Sequence, residues 1–326
     1  MIVPANAPMI GHEEPWRTWR AAMAGHRMHH AWLLAGREGL GKASFARMAA
    51  AELVAERGIP QPPPDSHPDI FTLSPLPAND DEAKKKADGK PYLTKRNISV
   101  DQVREMQRRL VTRPTLGARR AVIIDAADQL EKSAVNALLK SLEEPPQGTF
   151  FLLVVHGLGR LLPTIRSRCL VMRFHPLDRD QLARAVDTAT PGLDSATRAA
   201  AIAVAGGSPG AAIAFAEQDL GKVHGLFRKL VAQGDADFAL RGALSGAIGQ
   251  RPDRERQLAA IECARMVLVE HIGNVDDASR LRIADAHAAL VRLAVQAPTY
   301  NFDPALLMME IGGLLASVAR TREGAH

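Results

Sequence analysis

The chain has 326 residues, which is enough for two or three domains, and a formal net charge of +5 with a pI of about 9.4. This mild positive charge is compatible with a nucleic-acid partner, but aromatic residues make up only 4% of the chain, which argues against base-stacking surfaces. Two cysteines far apart in sequence, Cys169 and Cys263, exclude a disulfide framework and a four-cysteine zinc site within one chain.

The N-terminus, Met-Ile-Val-Pro-Ala-Asn, lacks the basic start and apolar core of a secretory signal peptide. The apolar runs of the chain are too short to cross a bilayer, so we expect a soluble, cytoplasmic protein. A short helix is predicted around residues 16–24. His26, His29 and His30 follow it without any carboxylate or cysteine pattern, so we interpret them as a loop that leads into a strand rather than as metal ligands.

Residues 31–45 form the pattern around which the sequence is organised: an apolar strand, a glycine-rich turn and the start of a helix. The turn carries the P-loop spacing in Gly36, Gly39, Gly41 and Lys42. Glycines allow backbone angles that turn N–H groups toward an anion, and the N-terminus of a helix adds a positive field. Lys42 would reach the outer phosphates of a nucleotide. The stretch therefore predicts a phosphate cradle.

The position after this lysine departs from a working P-loop. Ala43 stands where a serine or threonine hydroxyl normally holds magnesium. Ser44 lies one residue later, about 100° further round the helix, and is a poor substitute. We therefore expect a degenerate cradle without magnesium-dependent hydrolysis. Residual binding of ATP or ADP stays open.

The next segments are a proline-rich stretch at 59–68, which ends the P-loop helix, and a predicted second strand at 69–73. Residues 76–97 are polar and rich in lysine, and we interpret them as a mobile, solvated loop, with a phosphate-contacting arm as the alternative. A helix is predicted from Ser99, with Gln102 as its capping-box partner.

Residues 121–125 are a second informative stretch, because an apolar strand that ends in an aspartate has the Walker B pattern. Asp125 would then lie beside the P-loop at the carboxyl end of a parallel sheet, as a further candidate nucleotide-binding residue. Ala126 stands where hydrolytic versions carry a glutamate that activates water. Ala43 and Ala126 thus remove two groups that serve the same reaction.

Further segments complete an α/β pattern: a helix at 133–144, ended by two prolines, and strands at 150–155 and 170–174. Five strands alternate with helices. The pattern predicts an α/β domain over residues 1–175 with a mostly parallel sheet.

Beyond this domain the sequence shows only helical patterns. Residues 176–217 are predicted to form a small helical lid domain of three short helices, and residues 218–326 an all-α collar domain for oligomerisation. The predicted collar helices lie near 220–232, 236–247, 254–271, 277–296 and 303–320. Their apolar stripes suit bundle packing, and we find no catalytic constellation among them.

Four segments resemble the signatures of one family. They are His-Ala-Trp-Leu-Leu-Ala-Gly at 30–36, Ile-Ser-Val-Asp-Gln-Val-Arg at 98–104, Asn-Ala-Leu-Leu-Lys-Ser-Leu-Glu-Glu-Pro-Pro at 136–146 and Pro-Thr-Ile-Arg-Ser-Arg-Cys at 163–169. Together they resemble clamp-loader subunits of the AAA+ class, strongly over residues 10–217 and only in architecture beyond. The resemblance implies an AAA+ P-loop domain, a lid and a collar.

Within this family, Ala43 and Ala126 make the chain similar to the delta-prime type of bacterial DNA polymerase III. The ATP-hydrolysing gamma/tau type normally keeps a hydroxyl after the P-loop lysine and an acidic pair in Walker B. The lid segment 207–210 also lacks the nucleotide-sensing arginine of motor subunits. Many relatives carry a four-cysteine zinc module after the P-loop helix, but residues 50–68 contain no cysteine, so no zinc is expected.

The resemblance implies a hetero-pentameric ring with gamma/tau and delta subunits, which opens the sliding clamp and places it on primer-template DNA. The delta-prime type is a non-hydrolysing scaffold of that ring. The arginine of its Ser-Arg-Cys motif, here Arg168, is implied to act in trans as an arginine finger on the ATP of a neighbouring gamma subunit. The alternative for Arg168 is a structural ion pair at the entrance of a strand. For Arg166 that structural role is expected, and for Cys169 a packed apolar one.

The sequence leaves two alternative functions open. A gamma/tau-like ATPase would tolerate Ala43, with Asp125 holding the metal through water, and magnesium-dependent turnover by the isolated chain would reveal it. A small-molecule phosphotransferase on a P-loop scaffold would need an acid–base pair of its own, which the sequence does not show.

Overall fold

A computed structural model describes residues 9–25, 27–90, 92–249, 252–297 and 302–319. The chain forms two compact units, Met1–Leu177 and Asp178–His326. The first contains every described strand, and the second contains both segments that were predicted as lid and collar. The division of the second unit into those two domains stays a prediction.

The first unit is a parallel sheet with helices on both faces. Its elements in chain order are α1 (Glu13–Ala24), β1 (Ala31–Ala35), α2 (Lys42–Val54), β2 (Ile70–Leu73), α3 (Asp80–Ala87), α4 (Val100–Leu110), β3 (Arg120–Ile124), α5 (Lys132–Glu143), β4 (Thr149–Val155), α6 (Pro163–Arg166) and β5 (Leu170–Arg173). All strand pairs are parallel, in the order β2-β3-β4-β1-β5. The predicted α/β class and the five strands are confirmed.

The sheet is covered on both faces because its central strands are apolar throughout. Successive residues of a strand point to opposite faces. Leu33 and Phe151 therefore belong to one core cluster, which includes Leu138 of α5, whereas Leu34 belongs to the other, which includes Phe45 of α2. The sheet is thus fixed between two layers of helices. The connecting loops lie where the strands begin, which we call the amino edge, and where they end, the carboxyl edge.

Residues 76–97 were predicted to form a mobile loop. This prediction is wrong for residues 80–87, because they form helix α3. Asn79 caps this helix by accepting a hydrogen bond from the backbone N–H of Glu82 at 3.0 Å. The buried Glu82 carboxylate accepts from Lys85 Nζ (2.7 Å) and from the backbone N–H of Leu93 (2.6 Å), and these bonds lower the pKa of Glu82. Acidic residues in the first turn and lysines in the last also match the helix dipole. The phosphate-contacting arm stays a prediction.

The second unit is helical wherever it is described. Its helices are α7 (Arg179–Ala189), α8 (Ser195–Val204), α9 (Pro209–Glu217), α10 (Gly221–Gln233), α11 (Ala239–Ala247), α12 (Arg254–His271), α13 (Asp277–Gln296) and α14 (Pro304–Ala316). These bounds match the eight predicted helices closely, except that the last helix ends at Ala316, whereas it was predicted to reach residue 320. Helix α12 packs against α10 and α13, and α11 against α14. A Cβ on Gly312 would lie 2.6 Å from Arg241 Cγ, so this contact requires glycine.

In the described part of the chain, no helix combines the length and the apolar character that spanning a membrane requires.

A buried ion pair ties the start of β3 to the segment before β2. Arg120 is only 2% exposed and donates to the backbone carbonyls of Arg109 (3.1 Å), Thr112 (3.0 Å) and Arg113 (2.8 Å). Asp69 is fully buried and accepts from the backbone N–H groups of Thr115 (2.6 Å) and Leu116 (2.8 Å). The two charges lie 3.9 Å apart. The pair therefore satisfies the backbone of the turn between α4 and β3.

We predict that Arg120→Met lowers the free energy of unfolding of the first unit by about 3 kcal/mol, because it leaves a buried carboxylate and three carbonyls without their cation. All three tryptophans of the chain lie in this unit, so tryptophan fluorescence during urea unfolding measures the change. Arg119→Met, at an exposed neighbouring position, should change the value by no more than about 0.5 kcal/mol. Equal effects of both variants would contradict a special role for Arg120.

Candidate functional site

The glycine-rich loop between β1 and α2 has the backbone shape that its sequence predicts. A Cβ on Gly36 would lie 2.6 Å from the carbonyl oxygen of Phe174, so only glycine fits this close approach. Gly39 and Gly41 have φ angles of +78° and +83°, in the left-handed region that glycine adopts without strain. The three glycines therefore shape a narrow loop at the N-terminus of α2.

Lys42, the first residue of α2, is turned into this loop. Its side chain is only 2% exposed, and its ammonium donates to the carbonyl oxygen of Arg37 at 2.5 Å. Burial lowers the pKa of Lys42 from 10.5 to about 8, and the carboxylates of Glu38, Asp125 and Asp128 oppose this shift. An anion bound in the loop would supply further counter-charge. The lysine thus has the position and the electrostatics of a phosphate ligand.

Asp125 follows β3 and lies near the same loop, as predicted. Burial raises its pKa, while His156, Arg47 and Lys42 act in the opposite direction. Strands β1 and β3 are separated by β4 alone, so their carboxyl ends bring Lys42 and Asp125 within electrostatic reach of each other. Gly36, Gly39, Gly41, Lys42 and Asp125 therefore come together at the carboxyl edge of the sheet.

Asp128 is a residue of this region that the sequence analysis missed. Its carboxylate acts electrostatically on Lys42 and accepts a hydrogen bond from the backbone N–H of His156 at 3.1 Å. Its position three residues after Asp125, in the same turn after a strand, was the signal in the sequence.

The two alanines of the cradle contribute no oxygen. Ala43 is the second residue of α2, and Ala126 is 2% exposed directly after Asp125. Among the residues that the structure describes, no group of three or more His, Cys, Asp or Glu side chains is arranged to hold a metal ion. The cradle therefore retains its glycines, Lys42 and the carboxylates of Asp125 and Asp128, while the side chains of Ala43 and Ala126 supply no oxygen to it.

Arg168 lies elsewhere, between α6 and β5, at the amino edge of the sheet. Its Nη1 donates to the carbonyl oxygen of Thr164 (2.8 Å) and to Ser167 Oγ (3.3 Å), and its Nη2 forms a short ion pair with Glu143 at the end of α5. Its side chain is 34% exposed. The guanidinium is therefore oriented by three neighbours and remains accessible to solvent.

The neighbours of Arg168 in its motif behave differently. The side chain of Arg166 is exposed and forms no ion pair with any described residue, so the pairing that we expected for it is found at Arg168. Cys169 packs against the core, and burial raises the pKa of its thiol to about 12, so the thiol remains protonated at neutral pH.

An open cleft of about 490 Å³ surrounds this arginine. It is lined by His29, His30, Leu142, Glu143, Ser167 and Arg168. The two histidine rings stack with centroids 4.7 Å apart, and His30 Nε2 donates to the carbonyl oxygen of Leu142 at 2.8 Å. His29 and His30 do lead into β1, as predicted, but their place in this cleft was missed because it depends on strand order. His26 lies outside the described residues.

Three comparisons with known proteins bear on these sites. A family model described as DNA polymerase III, delta subunit, matches residues 11–178, just over half of the chain. DNA polymerase III subunit delta' of Pseudomonas aeruginosa is 36% identical over 215 residues, which cover 60% of this chain and 58% of that protein. The subunit of the same name from Escherichia coli is 32% identical over 208 residues, 59% of this chain and 56% of that protein. The matches thus span less than two thirds of these relatives.

A solved structure supports the fold over more of the chain. The crystal structure of a DNA polymerase III gamma subunit-related protein from Thermotoga maritima gives a TM-score of 0.52 at 16% identity, covering 94% of this chain and 99% of that one. The α/β unit and the helical character of the second unit therefore agree with the fold that the sequence resemblance implied, and the division into lid and collar stays a prediction.

We predict that Lys42→Met raises the free energy of unfolding of the first unit by about 1–2 kcal/mol at pH 7, because it removes a buried charge. Tryptophan fluorescence during urea unfolding measures the effect. Since the folded pKa is about 8 and the unfolded value 10.5, the gain should be constant below pH 8 and shrink as the pH rises toward 10.5. Lys229→Met, at an exposed position of α10, is the control. A lower free energy of unfolding in Lys42→Met would contradict the inference that the buried charge of Lys42 destabilises the folded state.

Proposed function

Because the chain belongs to the DNA polymerase III delta-subunit family, we propose that it is a clamp-loader subunit of the delta-prime type. In this role it is a non-hydrolysing scaffold of a ring that loads the sliding clamp onto primed DNA. The observation that carries the proposal is Arg168, which lies within the matched region and is presented, oriented and accessible, in an open cleft.

The proposed chemistry of Arg168 is that of an arginine finger acting in trans. A guanidinium is always charged and offers five N–H donors in a planar fork, which suits the oxygens of a γ-phosphate. Placed against ATP bound on a neighbouring gamma/tau subunit, it stabilises negative charge that grows in the transition state. Arginine fingers accelerate such reactions by about 10³ to 10⁵.

The proposed cradle of this chain has no hydrolytic role. Ala43 and Ala126 support this, because both positions lack the oxygen that the reaction needs. Lys42 and Asp125 are proposed to permit at most residual binding of ATP or ADP, with no cofactor and no zinc required. Within the DNA polymerase holoenzyme the chain would contribute to ATP turnover only through its neighbour.

The proposed partners are gamma/tau and delta subunits in a hetero-pentameric ring, and through that ring the sliding clamp and primer-template DNA. The ring would operate in the cytoplasm. Among the described residues of the helical second unit there is no candidate catalytic cluster, and the proposed role of this unit is assembly of the ring.

One observation favours a second candidate, a gamma/tau-like ATPase: Lys42 and Asp125 do come together at the carboxyl edge of the sheet. In that case Asp125 would hold magnesium through water. ATP turnover by the isolated chain separates the two candidates.

We predict that the purified chain with magnesium and ATP shows no phosphate release above that of Lys42→Ala, because the magnesium hydroxyl and the water-activating carboxylate are both absent. Phosphate release at saturating ATP is the measurement. If the wild-type chain releases phosphate and Lys42→Ala abolishes that release, the chain is a gamma/tau-like ATPase and not a non-hydrolysing scaffold.

We also predict that Arg168→Ala lowers ATP turnover of a reconstituted assembly with gamma/tau and delta subunits. Hydrolysis at the ATP site that Arg168 contacts should slow by about 10³-fold or more. Total turnover should therefore fall by the fraction of ATP that this site hydrolyses in the wild-type assembly. The variant should keep the melting temperature of the wild type to within a few degrees, since exposed ion pairs contribute little stability. Arg166→Ala, two residues away, is the matched control. Unchanged turnover in Arg168→Ala would remove the finger assignment.

A further inference from the structure

Glu143 holds Arg168 at the edge of the cleft before any nucleotide is present. The carboxylate engages Nη2 of the guanidinium, while Thr164 and Ser167 engage Nη1 from the other side. The carboxylate is 49% exposed and the arginine 34%, and both line the open cleft. A phosphate group that enters the cleft therefore meets a guanidinium with a carboxylate already bound to one of its two terminal nitrogens.

The position of Glu143 is unfavourable for the helix that carries it. It is the last residue of α5, where the dipole is negative and where a cation rather than a carboxylate would stabilise the helix. Glu144 adds a second negative charge next to it. Lys140 is the basic residue in the last turn of α5, but the cation in contact with Glu143 is Arg168.

The main chain beside Glu143 is held in place. His30 Nε2 donates to the carbonyl oxygen of Leu142, the residue immediately before Glu143, at 2.8 Å. The end of α5 is therefore anchored to the start of β1, and Glu143 can release Arg168 by a rotation of its own side chain.

The contact with Glu143 affects how a nucleoside triphosphate can reach Arg168. The negative field of Glu143, Glu144 and the helix end attracts the guanidinium but repels phosphate oxygens that approach it. An exposed ion pair is weak enough to be exchanged. Two anions then compete for one cation: the internal carboxylate and the incoming phosphate.

We propose that Glu143 is an internal competitor for Arg168, an autoinhibitory contact that occupies the arginine finger until a neighbouring subunit presents a nucleoside triphosphate. This inference rests on the proposed role of Arg168 in trans. Glu143 acts through Arg168 and is a positioning residue. Its contact sets how much ATP is needed to engage the finger, while the rate after engagement depends on Arg168.

The experiment compares reconstituted assemblies with gamma/tau and delta subunits in which this chain is wild type, Glu143→Gln, Glu143→Asp or Glu144→Gln, each with Arg168 present and with Arg168→Ala. Glutamine keeps the size of the side chain and its acceptor oxygen but removes the charge. Steady-state ATP hydrolysis is measured against ATP concentration, and the Arg168-dependent component is obtained by subtracting the turnover of the matching Arg168→Ala assembly. Glu144→Gln is the matched control at the adjacent, exposed position.

We expect Glu143→Gln to lower the KM for ATP of the Arg168-dependent component by about two- to fivefold, the range of an exposed ion pair, with kcat nearly unchanged. Glu143→Asp, which restores the charge, should return KM toward the wild-type value, and Glu144→Gln should have a smaller effect. In the Arg168→Ala background, Glu143→Gln should change nothing.

Three results overturn the inference, and they are distinguishable from one another. A fall in kcat for Glu143→Gln with KM unchanged would mean that the carboxylate supports the arginine rather than competing for it. An equal KM effect with and without Arg168 would mean that Glu143 acts through another group, while the finger itself stands. Unchanged turnover in Arg168→Ala would remove the proposed function, and the inference with it.

Discussion

The parallel pairing of the central strands is the constraint on which the rest of the first unit depends. Parallel strands that are apolar throughout must be covered on both faces, so helices occupy the faces and only the loops at the two edges are free to carry function. The glycine-rich loop and the turn after β3 lie at the carboxyl edge. The turn that carries Arg168 and the end of α5 lie at the amino edge, where β5 and β4 begin.

The two edges treat positive charge in opposite ways. At the carboxyl edge Lys42 is buried, its pKa is lowered by that burial, and its ammonium is bonded to its own loop. At the amino edge Arg168 is partly exposed and paired with a more exposed carboxylate. Desolvation makes the charge of the first cation costly, whereas solvent keeps the second cation available for exchange. The first cation is therefore enclosed by its own chain, and the second can change its partner.

Sequence patterns predicted most of the fold, because strands, glycine turns and helix stops are determined by local chemistry. The five strands, the P-loop geometry and the eight helices of the second unit follow from apolar runs, glycine spacing and prolines. Helix α3 was missed because the lysine-rich composition was given more weight than its Asn79 cap and the buried Glu82. The cleft around Arg168 was out of reach for another reason. His30 and Glu143 are more than 100 residues apart, and they meet only because β1 lies between β4 and β5.

The glycine-rich loop and Arg168 lie at opposite ends of the strands, and this arrangement limits the symmetry of an assembly in which they meet. Where a guanidinium at one end of a molecule engages a phosphate site at the other end of its neighbour, the contact joins two unlike surfaces, and the assembly has a direction. Two copies related by a twofold axis would bring like edges together and leave both functions idle. Such a directional series closes into a ring or grows without limit. In the ring proposed here, a member that gives an arginine but has no hydrolytic site of its own ends the series of reacting sites at its position, while the ring of subunits stays closed.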